Sequence, residues 1–202
     1  MNNTFGETEK EVKILDLTEE DIARIETIVT EMGGKKVSVF NRRIRSLDNG
    51  ISTEKDQLLR VTDEDGHVKL SLHINQSNEQ DKKHIKCHFL HSDRLIELLE
   101  ARYNEKVLTD IIARRISYEI GEGEDCVDLD IDSFPAIPSF MEIDLANLSK
   151  QGLTLEELLI RLNLQNHRIV QLGTEAIHSL YGINYFEVYA PRPEEEEYNK
   201  TL

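Results

Sequence analysis

The sequence predicts an α+β fold of about eight antiparallel strands with a few helices packed against them. Three observations point there. Most segments alternate apolar and polar residues with period two. Two of the alternating pairs meet at short Gly-containing turns. Helical spacing is confined to a few stretches, and none of them separates strands in the regular way of a parallel doubly wound sheet.

The elements follow in order. In "ETEKEVKILD" (7–16), Val12 and Ile14 alternate with Glu9, Glu11 and Lys13, a strand with one apolar and one charged face. Thr18 opens a helix with Glu19, Glu20 and Asp21 in its first turn, where the helix dipole favours negative charge. Ile22, Ile25, Ile28, Val29 and Met32 form its buried stripe, and Gly33-Gly34 ends it. The basic segment "KKVSVFNRRIRSLD" (35–48) reads as a strand. A hairpin follows, turning near Asp65-Gly66, with Leu59 and Val61 on one arm and Val68, Leu70, Leu72 and Ile74 on the other. "QSNEQDKK" (76–83) reads as a loop and "HIKCHFL" (84–90) as a strand. Ser92 then caps a helix carrying Leu95, Ile96, Leu98 and Leu99. "KVLTDIIARRISYEI" (106–120) and "CVDLDID" (126–132) make a second hairpin around Gly121–Asp125, and "SFMEIDL" (139–145) adds a strand. Thr154 and Glu157 form a capping box before a Leu-rich run to Leu164, and a short helix is expected over 174–181. A single domain over 1–190 accounts for this order, with an acidic, disordered tail over 191–202.

Composition narrows the class. The chain has 202 residues, a net charge of −15 and 39% hydrophobic residues, which describes a soluble globular protein. That charge repels phosphate backbones and anionic lipid, so nucleic acid and membrane are poor partners. No apolar run reaches the length of a membrane span, and "MNNTFGETEK" lacks a secretory pattern, so a cytoplasmic location is expected. Two cysteines, Cys87 and Cys126, suit a reducing compartment, and Cys126 reads as a buried, inert thiol.

Nearly every strand pairs an apolar face with a charged one: Glu9, Glu11 and Lys13; Arg43 and Arg45; Arg60; Lys69 and His73; Lys86 and His88; Asp128, Asp130 and Asp132; Glu142 and Asp144. An open sheet with one wet face gives this pattern. A closed barrel with a charged lumen gives it too, provided acids and bases neutralise one another or hold ions. Alternation leaves both open.

Three passages carry a family resemblance. Glu9-Lys10-Glu11-Val12-Lys13 is an E-x-E-x-K signature, "RRISYEI" (114–120) is a basic strand before the last hairpin, and "IDSFPAIPSFMEID" (131–144) closes with an acidic strand, a turn and a second acidic pair. In this order and spread over much of the chain they resemble the CYTH superfamily, the triphosphate tunnel metalloenzymes, with most likeness to its class IV adenylyl cyclase-like branch. The resemblance implies an eight-stranded antiparallel β-barrel, a tunnel, with helices packed outside. It implies Mg²⁺ or Mn²⁺ on Glu9, Glu11, Asp130, Asp132, Glu142 and Asp144. It implies a triphosphate (ATP, thiamine triphosphate or inorganic triphosphate) gripped by Lys13, Arg43, Arg60, Lys69, His73, Arg114 and Arg115, with Lys13, Arg60 and Arg114 as catalytic residues. Adenylyl cyclase and triphosphate phosphohydrolase chemistry share that grip, and monomer and homodimer both stay open.

The chain also departs from the family's pattern. His73 stands where a lysine is usual, Thr62 where a second basic residue is usual, and Lys86 and His88 where a middle strand carries an acidic pair. Asp144 replaces a glutamate. These changes admit a non-catalytic phosphate- or nucleotide-binding tunnel protein with a degenerate metal site as the alternative to an enzyme. His84, Cys87, His88 and His91 would share a helix face suited to zinc, but the alternation of Ile85, Cys87 and Phe89 favours a strand, which splits them. "RRIRS" (42–46) reads either as a surface patch or as a strand with lumen-facing arginines.

Overall fold

The computed structural model describes residues 11–48, 57–76, 79–89 and 91–191; the side chains of 57–58 and 72–89 are not described. Eight longer strands and one two-residue strand form a sheet in the order β5-β4-β3-β2-β6-β7-β8-β1-β9. They are β1 (Glu11–Leu17), β2 (Lys35–Asp48), β3 (Gln57–Glu64), β4 (His67–Gln76), β5 (Glu79–Phe89), β6 (Lys106–Ile120), β7 (Val127–Ser133), β8 (Ser139–Asp144) and β9 (Ile169–Val170). The helices are α1 (Glu19–Glu31), α2 (Ser92–Tyr103), α3 (Leu155–Arg161), α4 (Thr174–Leu180) and α5 (Tyr185–Val188). The α+β expectation is met. Among the described residues the ladder runs from β5 to β9 without closing on itself.

The chain divides into two compact units, and β2 and β6 each pass from one into the other. The first unit takes Arg42–Ile112 and the segment from Gly182 onward. Asp65 and Gly66 both have positive φ, which suits a right-twisted hairpin, and the Gly66 amide donates to Asp63 Oδ1 at 2.8 Å. β3 and β4 pair from Glu64↔His67 to Gln57↔Ile74. Leu47, Val61 and Val68 pack beneath Leu95, Ile96 and Leu99 of α2. The Asp110 amide donates to the Tyr189 carbonyl at 3.0 Å, which ties the segment around α5 to β6.

β5 begins at Glu79, inside the stretch read as a loop, and pairs with β4 out to Gln76↔Glu79. The ladder there is a backbone property, so it persists where side chains show no apolar alternation. His84, Cys87 and His88 all fall on this strand, as the sequence favoured.

The second unit takes the segment up to Asn41 together with Ala113–Tyr181. Its core is the apolar face of four neighbouring strands: Val12 and Ile14 from β1, Ile116, Tyr118 and Ile120 from β6, Val127, Leu129 and Ile131 from β7, and Met141 and Ile143 from β8. Ile25 and Val29 of α1 and Leu158, Leu159 and Leu162 from α3 and its end cover that face. α1 starts at a capping box in which the Asp21 amide donates to Thr18 Oγ1 at 3.1 Å and the Thr18 amide donates to Asp21 Oδ2 at 2.9 Å. Gly34 lets α1 end against β6, because a Cβ there would lie 2.7 Å from the Glu119 carbonyl oxygen. A register shift in β1 between Ile14 and Leu17 accompanies Asp16 at φ 63°. Tyr181 donates to Asp16 Oδ1 at 2.6 Å, and the Leu15 amide donates to the Arg168 carbonyl beside β9.

Candidate functional site

Pairing within the second unit gathers its charged residues on the face opposite the core. Glu11 lies opposite Asp144 and Lys13 opposite Glu142 across β1 and β8. Asp130 faces Glu142 across β7 and β8. Arg115, Ser117 and Glu119 of β6 face Asp132, Asp130 and Asp128 of β7. Each strand contributes alternate residues, so one set enters the core and the other this face.

Arg115 is the hub. Its Nε donates to Asp132 Oδ1 at 2.7 Å and its Nη2 to Asp132 Oδ2 at 2.5 Å, a two-pronged grip. Nη1 donates to Asp130 Oδ2 at 2.5 Å, and Nη2 also reaches Glu142 Oε2 at 2.7 Å. Ser117 Oγ donates to Asp130 Oδ1 at 2.6 Å. Lys13 lies 3.2 Å from Glu142 Oε1 and donates to Glu11. The network is sunk into the protein: Asp132 is 0% exposed and Lys13 2%.

Burial alone would lower the pKa of Arg115, but Asp132 and Glu142 outweigh it and raise it well above the ordinary value. The guanidinium is therefore charged at any working pH. Burial pushes the Asp130 carboxyl up, Arg115 and Ser117 offset part of that, and Glu142 and Asp132 add to it. Asp130 ends above its ordinary value chiefly because it is buried, with the neighbouring acids adding to the rise.

Six of the residues expected from the sequence come together here: Glu11, Lys13, Arg115, Asp130, Asp132 and Glu142. Glu9 lies outside the described residues. Asp144 is half-buried on the same face, accepts from the Ala146 amide at 2.8 Å, and pushes up the pKa of Asp128 after burial and Glu119. Arg114 is exposed, on the face of β6 opposite Arg115, so Arg115 is the member of that pair inside the network.

In the first unit, Arg43 and Arg45 share a face of β2 with Leu47, which packs under α2. Arg43 forms a two-pronged bond to Asp110, at 2.8 and 2.5 Å, and Arg45 bonds to Asp93 of α2. Arg60 pairs in register with Ser46 and Ser71, on the sheet face away from Leu47 and Val61. Lys69 is half-exposed and bonds to Glu64 beside the β3–β4 turn. His73 pairs through its backbone with Leu58 and Lys82, and its side chain lies outside those described, as do those of Lys86 and His88.

Two features escaped the sequence reading. Ser117 orients Asp130, and Glu119, Cys126 and Asp128 bring one ligand atom each to within 4.8 Å of one another. The alternation Arg115–Ser117–Glu119 against Asp132–Asp130–Asp128 carried both signals. Cys126 is half-buried, not fully buried; burial and Asp128 push its thiol pKa up, which keeps it protonated and unreactive.

The donors on this face are hard carboxylate oxygens, and among the described residues four carboxylates share the two cations Lys13 and Arg115. That donor set fits Mg²⁺ or Mn²⁺, which favour oxygen ligands. Glu11, Asp130, Asp132 and Glu142 are the residues that would hold such an ion.

No protein-family model and no curated protein sequence matches the chain. Solved structures do. A candidate adenylate cyclase from Vibrio parahaemolyticus superposes with a TM-score of 0.63 at 14% identity, covering 86% of this chain and 99% of that one. The chain has the fold of that cyclase-like protein. A candidate adenylyl cyclase from Hippeastrum, described as having a dominant triphosphatase activity, superposes at 0.59 with 13% identity over 88% of this chain and 99% of its own. The PH1012 protein from Pyrococcus horikoshii gives 0.58 at 18% identity, over 78% and 92%. The CYTH-type resemblance carried by the three sequence passages is thus borne out at the level of the fold. No described helix is long and apolar enough to cross a membrane.

Proposed function

We propose that the protein is a divalent-metal-dependent enzyme acting on a triphosphate, by adenylyl cyclase-like or triphosphate phosphohydrolase chemistry. One observation carries this reading: a buried network of Glu11, Lys13, Arg115, Asp130, Asp132 and Glu142 lies on one sheet face of a fold shared with cyclase-like and triphosphatase-like proteins. In the same proposal the sheet closes as a tunnel in one CYTH-type domain. Lys13 and Arg115 bind phosphate oxygens and neutralise the charge that develops during phosphoryl transfer. Until an ion binds, fully buried Asp132 fixes the plane of the Arg115 guanidinium, and Ser117 holds Asp130 in place. A bound Mg²⁺ or Mn²⁺ supplies Lewis-acid polarisation of the phosphoryl group.

Incubation with Mg²⁺ or Mn²⁺ and a panel of inorganic triphosphate, thiamine triphosphate and ATP tests the proposal. Turnover of at least one, lost in Glu11→Gln, is expected; none from well-folded protein would sink it. The second reading, a phosphate-binding protein without turnover, is favoured by Lys69, which bonds to Glu64 at the exposed turn in a chain that already lacks the usual basic residue at Thr62. It is distinguished by a triphosphate-induced rise in melting temperature without product.

A further inference from the structure

Arg115 occupies the carboxylates that the proposed metal needs. Its three nitrogens engage both oxygens of Asp132, one of Asp130 and one of Glu142, at 2.5–2.7 Å. The other two oxygens, Asp130 Oδ1 and Glu142 Oε1, face Ser117 and Lys13, so an ion held by all three acids competes with Arg115 for its oxygens. It would also sit within a few ångströms of a guanidinium held permanently charged, in a network with little water to screen the repulsion. Both cations cannot be held at once.

We infer that Arg115 and the divalent ion are alternative occupants of the Asp130–Asp132–Glu142 carboxylates. The inference rests on the metal-and-triphosphate reading above and adds a regulation to it. Without metal, Arg115 is the internal counter-ion that keeps three neighbouring acids compatible with a folded sheet. Entry of the ion requires the guanidinium to turn away. A triphosphate favours that turn, since its oxygens offer the two-pronged contact that Asp132 otherwise provides. Metal and triphosphate therefore bind with positive coupling, and by linkage each tightens the other. Metal alone binds weakly, which keeps the site from being loaded before substrate arrives.

The test reads Mn²⁺ affinity without any phosphate, by calorimetry and electron paramagnetic resonance on the full chain. Four proteins are compared: the unaltered protein, Arg115→Gln, Arg115→Lys, and Arg161→Gln as a control on the exposed surface of α3. Arg115→Gln is expected to bind Mn²⁺ about ten-fold tighter than the unaltered protein. Arg115→Lys keeps the charge but loses the fork, and it is expected to bind tighter as well, because oxygens are vacated. Arg161→Gln is expected to match the unaltered protein. In a parallel melting experiment, Arg115→Gln loses stability with a chelator present and regains it with Mn²⁺, a rescue that a merely structural arginine would not show.

Tighter binding in Gln alone, with Lys at the original affinity, assigns the effect to net charge and overturns displacement. Equal or weaker binding in both variants, while the unaltered protein binds, overturns the inference and leaves the metal reading standing. No Mn²⁺ binding by any of the four overturns both. If Arg115→Gln fails to fold, the Lys variant alone decides between displacement and its absence.

Discussion

Removing the Asp132 charge strands the most buried ion pair among the described residues. Asp132→Asn keeps the side-chain volume, removes the charge and replaces one of the two oxygens that accept from Arg115 with an NH₂ that cannot accept, at a site with 0% exposure beside a guanidinium only 14% exposed. Breaking a buried pair from one side costs about 3–5 kcal/mol. Arg115 keeps Asp130 and Glu142, so the lower end, about 3 kcal/mol, is expected for Asp132→Asn. Arg115→Met leaves three facing carboxylates without their shared cation, so the upper end, about 5 kcal/mol, applies to it. The double variant removes both members and is expected to cost about 2 kcal/mol less than the sum of the singles. Urea denaturation followed by circular dichroism, with a chelator present, measures all three. A loss under about 1 kcal/mol in Asp132→Asn, or singles that add to within about 0.5 kcal/mol, would refute the buried network as drawn.

Three further expectations concern the frame. Thr18→Ala removes the acceptor for the Asp21 amide and one donor to its carboxylate, and it is expected to cost about 1 kcal/mol in denaturant unfolding. Gly34→Ala drives a Cβ to 2.7 Å from both the Glu119 carbonyl and Val29 Cγ1, so a loss of about 1–3 kcal/mol is expected by the same assay. His178 is fully buried, bonds through Nδ1 to the Thr174 carbonyl at 2.7 Å, and meets the Phe134 ring edge-on; burial lowers its pKa from 6.5. The unfolded chain then binds the proton first, so stability is complete above about 6.5 and falls as pH drops below it. Melting curves from pH 7.5 down to 5 are expected to show that fall, and His178→Gln to flatten it.

Legibility followed the physics of each feature. Strands with an apolar face were readable because burial forces period two, so β1, β3, β4, β6, β7 and β8 appear where alternation placed them. β5 outran its pattern: residues 79–83 pair with β4 but carry no apolar alternation in the sequence. β9 is two residues long, paired with Lys13 and Ile14 of β1, and no periodicity exists at that length. For the site, Glu11, Lys13, Asp130, Asp132 and Glu142 were legible because they alternate with core residues on strands that turned out to be neighbours. The choice between Arg114 and Arg115 was not, because two adjacent arginines on a strand point to opposite faces and only register decides which one meets Asp132. Arg43 was placed by charge pattern on a face that α2 in fact covers, where Asp110 and Asp93 hold it. Sequence alone gave no sign that those acids would reach it.

The most direct measurement is anomalous diffraction at the manganese edge from crystals of the full chain grown with Mn²⁺ and inorganic triphosphate. The expected result is a manganese peak against Asp130, Asp132 and Glu142, with Lys13 and Arg115 turned onto phosphate oxygens. Triphosphate bound elsewhere, with Arg115 still clasped by Asp132 and no manganese among those acids, would contradict it.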